Sequence, residues 1–489
     1  MEPRQKTRKY TPVIRVLLFL LLASFLVSAA DYVLTPKSAI SSAFYAEPRD
    51  TIDVLFVGGS HAAAAFDPTQ LWMQQGFTGY TFYSWGQPAW TSYHYVKEAL
   101  KTQSPKVVVV EAFGFMYGRS YLSMNNFDSV SDDFSLQIRP GINRLELAIA
   151  MSRYQQAGTP FYRYNSLLRY HGRWKSLTAE DFTWFFTDHY STDKGFGPVY
   201  GHEAFEPQVP PMGVMPRPLY PGCESYLLKL IELSLKEGFQ LVLAMTPYVL
   251  ESPEEWGVIQ TIRNICEAND VAFLDYNSQN IALQSEFSMA EDMGEHAHVN
   301  QYGAAKITRH IGEYLAANYS LEDRRGQPSL AYWDEAAAIE GWDRTVKHLQ
   351  LSATAAQWLP RLDNPRFSAV MVLGDMSVPG DSGPLREGLA FFGVNPDALE
   401  GNLLMAVEGG NVVLLQTAAA PLRTDLQLAG HGFRLISDGA NTQIVMDGQQ
   451  CALGSEGMQA IVLDNLTGEV LQIVTFIPQE GCITRTDFL

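Results

Sequence analysis

Residues 51–61 read TIDVLFVGGSH: a short apolar run rich in β-branched residues, closed by two glycines, a serine and a histidine. The pattern predicts a buried strand over Thr51–Gly58, because the apolar residues follow one another without polar alternation and a glycine turn ends the run. The same texture recurs on both sides. Tyr80–Trp85 (YTFYSW) predicts a second strand ending at Gly86, Ser92–Thr102 has helical character, and Lys106–Ala112 (KVVVVEA) predicts a third strand after Pro105. Farther on, helix Tyr226–Lys236 leads to strand Gln240–Met245 (QLVLAM), and helix Glu254–Ala268 to strand Val271–Asp275 (VAFLD). Gln301–Ala316 closes the set as an amphipathic helix. Strands alternating with helices at this spacing predict βαβ units, hence an α/β fold with a parallel sheet covered on both faces.

A chain of 489 residues is too long for one compact core, so two globular domains and a short N-terminal element are expected. The net charge of −18 argues against a nucleic-acid partner, since phosphate contact needs a basic patch. No fixed-period repeat or low-complexity tract is present. Cys223, Cys266, Cys451 and Cys482 are too scattered for a disulfide framework, a Cys451–Cys482 bridge being the one pairing left open. No pair has zinc-ligand spacing, and no cofactor is expected.

Residues 1–30 carry an address. Arg4, Lys6, Arg8, Lys9 and Arg15 precede an uncharged run of 15 residues, Val16–Ala30. That run suits a signal peptide, with Val27-Ser28-Ala29 supplying small residues for cleavage. Extended back to Val13, with Arg15 snorkelling, it makes a short membrane anchor instead. The expectation carried forward is a single-pass anchor with the remainder extracellular, or secretion if the segment is cleaved.

Residues 31–320 then form the α/β domain, in which 113–222 is an insertion rich in aromatics, arginine and proline. It follows the carboxyl end of a predicted parallel strand, where open α/β sheets bind ligands, so a lid or substrate wall is expected. Residues 321–364 read as a helical linker. Residues 365–489 read as a smaller β-rich domain, with strands at Phe367–Leu373, Leu403–Val407, Val412–Leu415, Gly432–Ser437, Thr442–Met446, Met458–Asp464 and Val470–Phe476. Its hairpin turns include Glu408-Gly409-Gly410-Asn411 and Asp447-Gly448.

The chemistry-bearing residues lie at two distant places. Gly58-Gly59-Ser60-His61 turns sharply out of the first strand and presents Ser60 at the top of the sheet. The pattern is neither G-x-S-x-G nor a dinucleotide fingerprint. Glu295-His296-Ala297-His298-Val299-Asn300 precedes the last helix, after the fifth strand and so at the same sheet edge. A carboxylate three residues before a histidine orients the imidazole and stabilises its charged form, the logic of a hydrolytic triad. Two histidines at i, i+2 also raise metal binding, but no third ligand stands at a recognised spacing.

Together these blocks resemble the SGNH/GDSL hydrolase superfamily, in the GSSH-like form of its bacterial envelope branch (polysaccharide O-acetylation and D-alanyl transfer proteins). Ser84-Trp85-Gly86-Gln87-Pro88 resembles the block whose glycine N–H joins the oxyanion hole. Glu295 to Asn300 with Tyr302-Gly303-Ala304-Ala305-Lys306-Ile307-Thr308 resembles the D-x-x-H-L-N-x-x-G-A-x-K-x-T block. The resemblance covers residues 30–317 and implies a flavodoxin-like three-layer α/β/α domain with Ser60 as nucleophile, His298 as base and Glu295 as its partner. It also implies Gly59, Gly86, Gln87 and Asn300 as oxyanion or substrate contacts. Glu295 replaces the usual aspartate, leaving Asp292 or His296 as competitors to orient His298. The third-block asparagine has no counterpart near Glu111–Phe115, for which Asn300 or an insertion residue is the substitute. Tyr170-His171-Gly172-Arg173-Trp174 resembles an H-x-R-W stretch of clostridial-type members. Residues 457–464 and 467–470 resemble the ILEI/PANDER-like β-sandwich module.

The resemblance implies an extracytoplasmic serine esterase or O-acyltransferase acting on acyl esters of envelope carbohydrate, or on a small acyl ester. A membrane-bound O-acyltransferase would be its partner. The competing expectation is a non-catalytic envelope carbohydrate-binding or assembly protein on the same fold.

Overall fold

The structure, a computed structural model, describes residues 11–118, 136–155, 159–374, 388–393, 401–439, 441–454, 457–479 and 482–486. The basic residues at 4–9, positions 119–135 of the insertion and the side chain of Cys482 lie outside the described set; Cys451 is a free thiol.

Five parallel strands make the first sheet: β1 (Val54–Gly58), β2 (Gly79–Tyr83), β3 (Val107–Glu111), β4 (Gln240–Met245) and β5 (Ala272–Asp275), in the order β2-β1-β3-β4-β5. Alternate residues of β1 and β3 face opposite layers. Leu55, Val57, Val108 and Val110 join the core on one side, and Val54, Phe56, Val107 and Val109 the core on the other. Burial on both faces is why these strands are apolar throughout. The order 2-1-3 reverses direction between β1 and β3, and the crevice outside their carboxyl ends is where such sheets place ligands. Ser60 stands directly after β1.

The chain divides into two compact units, 1–340 and 341–489. The division falls inside the helix Ala331–Gln350, so the stretch read as a linker has no separate core of its own. In the first unit Trp333 is fully buried with Trp72, Leu330 and Ala337. The second unit is antiparallel. β6 (Phe367–Leu373), β7 (Asn402–Glu408), β8 (Asn411–Ala418), β13 (Met458–Asp464), β14 (Val470–Gln479) and β15 (Cys482–Thr486) form one sheet. β9 (Leu422–Leu428), β10 (His431–Ser437), β11 (Thr442–Met446) and β12 (Gln449–Gly454) form another. Val370, Val372, Leu404, Phe433, Leu435 and Ile444 fill the space between them. β9 escapes a sequence reading because LRTDLQL is only half apolar.

At the N-terminus, α1 spans Thr11–Leu34. It is longer than the apolar run over 16–30, and its 23 residues from Pro12 to Leu34 are long and apolar enough to cross a membrane. A membrane anchor and a signal sequence both fit such a helix.

Candidate functional site

The turn that carries Ser60 is shaped by what glycine omits. A Cβ on Gly58 would stand 2.6 Å from Glu111 Cβ and 2.8 Å from Ala62 Cβ, so any side chain there would push β3 and the helix Ser60–Ala65 apart. Gly59 faces the loop after β2, where its missing Cβ would lie 3.4 Å from the Gln87 amide nitrogen. Gly86 in that loop has φ +58°, a left-handed conformation that glycine adopts at little cost. Ser60 is the first residue of the helix Ser60–Ala65, a position whose amide has no intrahelical acceptor.

The second block is a tight turn. Met293 bridges Val299, and the Gly294 amide donates to His298 O at 2.8 Å, which puts the side chains of Glu295 and His298 on one side. His298 Nε2 lies 2.7 Å from Ser60 Oγ, and His298 Nδ1 is hydrogen-bonded to Glu295 Oε1. With Nδ1 donating to the carboxylate, Nε2 is the acceptor for the serine hydroxyl. Glu295 uses its other oxygen for His296 Nδ1 at 2.8 Å and for the Ala297 amide at 3.1 Å. Burial raises the Glu295 carboxyl, but the hydrogen bonds and the two imidazoles outweigh it and hold the group below its ordinary range.

The competitors stand elsewhere. Asp292 is buried in an ion pair with Lys306 at 2.7 Å and also accepts from the Ser288 amide, and His296 shares the carboxylate rather than replacing it. Two residues expected as oxyanion or substrate contacts have side chains bonded within the protein. Asn300 caps the helix Gln301–Asn318: its Oδ1 accepts from the Tyr302 and Gly303 amides, while Nδ2 donates to the Glu291 and Met293 carbonyls. Its side-chain donors and acceptor are thus bonded to the helix on one side and the loop on the other. Gln87 is likewise committed, its Oε1 accepting from the Ser84 amide and hydroxyl and its Nε2 donating to Ser92 Oγ. The Gln87 side chain thereby braces the loop that carries Gly86.

A buried polar chain beneath the serine was not read from the sequence. His61 stacks on Phe113 with centroids 3.9 Å apart, and its ring lies 4.8 Å from that of His298. Burial first, and then the neighbouring His298 and His296, keeps its pKa well below the ordinary value, so His61 is neutral. Its Nδ1 is 3.5 Å from Thr246 Oγ1, which donates to Glu111 Oε1 at 3.1 Å. Burial pushes the Glu111 carboxyl up to about 7, against the donors Phe113 N–H and Thr246. Adjacency to Ser60 was the only sequence signal for His61.

The insertion splits in two. Its return stretch borders the site: the Gly197 amide donates to Ala63 O, and the amides of Glu203 and Phe205 donate to Met293 O and Met289 O. The buried pair Lys194–Glu47, 2.7 Å apart, fixes that stretch at its start. Residues 160–186 pack instead against the end of α1.

No family model matches this chain, and no curated protein matches it. Among solved structures, a Bacteroides fragilis protein that is an acylhydrolase by provisional assignment aligns over 57% of this chain and 94% of its own. The identity is 11% and the TM-score 0.27, too slight a likeness to bear on fold or activity.

Proposed function

We propose that this protein is a serine esterase or O-acyltransferase of the SGNH type, acting outside the cytoplasm on acyl esters of envelope carbohydrate. The observation that carries the reading is the continuous relay from Ser60 Oγ through His298 to Glu295 at the carboxyl edge of a parallel sheet. The motif resemblance supplies the branch, and the half-exposed Trp85 beside Gly86 offers a flat apolar surface for a sugar ring.

In the proposed reaction Ser60 Oγ attacks the ester carbonyl while its proton passes to His298 Nε2. The amides of Ser60 and Gly86 hold the tetrahedral oxyanion. Collapse breaks the ester C–O bond, the leaving alkoxide takes the proton from His298, and the acyl group remains on Ser60. Water, or a sugar hydroxyl, then gives its proton to His298 and takes the acyl group, restoring the serine. Glu295 stabilises the imidazolium formed at each step.

The test is labelling of the folded chain with a fluorophosphonate, together with hydrolysis of a small acetyl ester. Ser60 is expected to be the labelled residue, and Ser60→Ala to lose at least about a thousandfold in turnover. A folded protein that takes no label would instead favour the binding-only alternative.

A further inference from the structure

We infer that residues 160–186 of the insertion form a second membrane-contacting surface, seated in the lipid headgroup layer beside α1. The inference goes beyond the proposed esterase and rests on α1 crossing a bilayer. At 1.5 Å per residue the 23 residues of that helix reach about 35 Å, enough for a hydrocarbon core of about 30 Å. Its far end is clamped by the insertion. Asp31 Oδ1 accepts from the Leu167 amide at 3.1 Å, and Leu34 O accepts from Arg173 Nη1 at 2.8 Å. Arg173 also holds Asp181 through Nη2 at 2.8 Å. Where α1 leaves the apolar layer, these residues are therefore at the interface.

Their composition matches that depth. Phe185 is 76% exposed and Phe186 84%, and Phe161, Trp174 and Phe182 each expose more than half of their surface. In water such rings cost free energy; at a bilayer interface aromatic side chains are the preferred residues. Residues 160–186 carry Arg163, Arg169, Arg173 and Lys175 against Glu180 and Asp181, a positive excess in a chain whose net charge is −18, although Arg163 is buried and Arg173 is paired with Asp181. An aromatic surface with a positive excess, tied to the end of a membrane-crossing helix, fits a lipid surface, and it is the tie to α1 rather than the charge that favours lipid over an acidic protein such as a second copy of this chain. The H-x-R-W stretch thereby acquires a role: Arg173 ties the insertion to the helix end and Trp174, next to it, faces the lipid.

The test uses the full chain in vesicles of phosphatidylethanolamine and phosphatidylglycerol, with Cys451→Ser and Cys482→Ser as background. Spin labels are placed singly through Phe185→Cys, Phe186→Cys, Leu22→Cys and Met212→Cys. Power saturation then compares access of oxygen, which concentrates in lipid, with access of a nickel chelate, which stays in water. Labels at 185 and 186 are expected to favour oxygen and lose nickel access, with the sign seen at 22 and opposite to that at 212. Nickel access at 185 and 186 like that at 212 would overturn the proposal, and exclusion of both reagents would replace lipid with a protein partner. Nickel access at position 22 would remove its foundation. Fluorophosphonate labelling of Ser60 in the same samples reads the esterase proposal separately.

Discussion

Glu111 lies beneath the site in surroundings that move its carboxyl well above the ordinary glutamate range. It closes β3 under Gly58, is fully buried, and has a carboxyl pushed up to about 7. The sign of its effect on stability follows from linkage. Between the ordinary glutamate pKa and 7 the unfolded chain releases this proton while the folded chain keeps it, so folding weakens as pH rises through that window. The contribution is fully present at lower pH and gone above 7, amounting at most to about 3 kcal/mol. Glu111→Gln removes the titration. Its thermal midpoint relative to the parent is therefore expected to rise between pH 5 and pH 8, and an offset that does not change with pH would show that Glu111 does not titrate there. His61 and Thr246 depend on the same pocket, and nothing in the spacing of residues 61, 111 and 246 announces that they meet.

The loop from Met293 to Asn300 and the helix that follows behave as one element. Asn300 ties them by four hydrogen bonds, two to the first turn of the helix and two back to the loop that carries Glu295 and His298. Asn300→Ala removes the cap, at a cost of about 1–2 kcal/mol, and leaves two carbonyls without donors. The larger effect is expected on activity, because slack of about 1 Å in a reacting pair costs on the order of a hundredfold. Asn300→Asp restores the cap but not the two carbonyl bonds. It should recover most of the stability and only part of the Ser60 labelling rate, whereas equal recovery of both would reduce Asn300 to an ordinary cap. The N-x-x-G-A pattern made this asparagine legible as important; its local partners, which fix what it does, were not.

Across the whole molecule the two units have separate cores, one between the parallel sheet and its helices, the other between antiparallel sheets. Calorimetry is expected to resolve two unfolding transitions, of which Glu111→Gln moves one and leaves the other in place. Loss of Ser60 labelling on heating should follow the transition that moves. A single transition shifted as a whole would mean that the units unfold together.

Much of this organisation is local and so was written in the chain. TIDVLFVGGSH specifies a buried strand and a glycine turn through side-chain size, β-branching and φ freedom, and the repeated strand–helix texture specifies a parallel α/β sheet. The same locality made Glu295 and His298 legible as a pair, since they are three residues apart. What only the tertiary structure decided was non-local. Ser60 and His298, 238 residues apart, meet because the parallel strands put their carboxyl ends at one edge and the helix Gln301–Asn318, packed against the helix that Ser60 begins, carries the preceding loop back from β5 to β1. Whether a polar side chain is free to meet a substrate depends on which neighbours have already taken its donors and acceptors. On that ground the side chains of Asn300 and Gln87 belong to the framework of their own loops, and the Tyr170–Trp174 stretch lies at the end of α1.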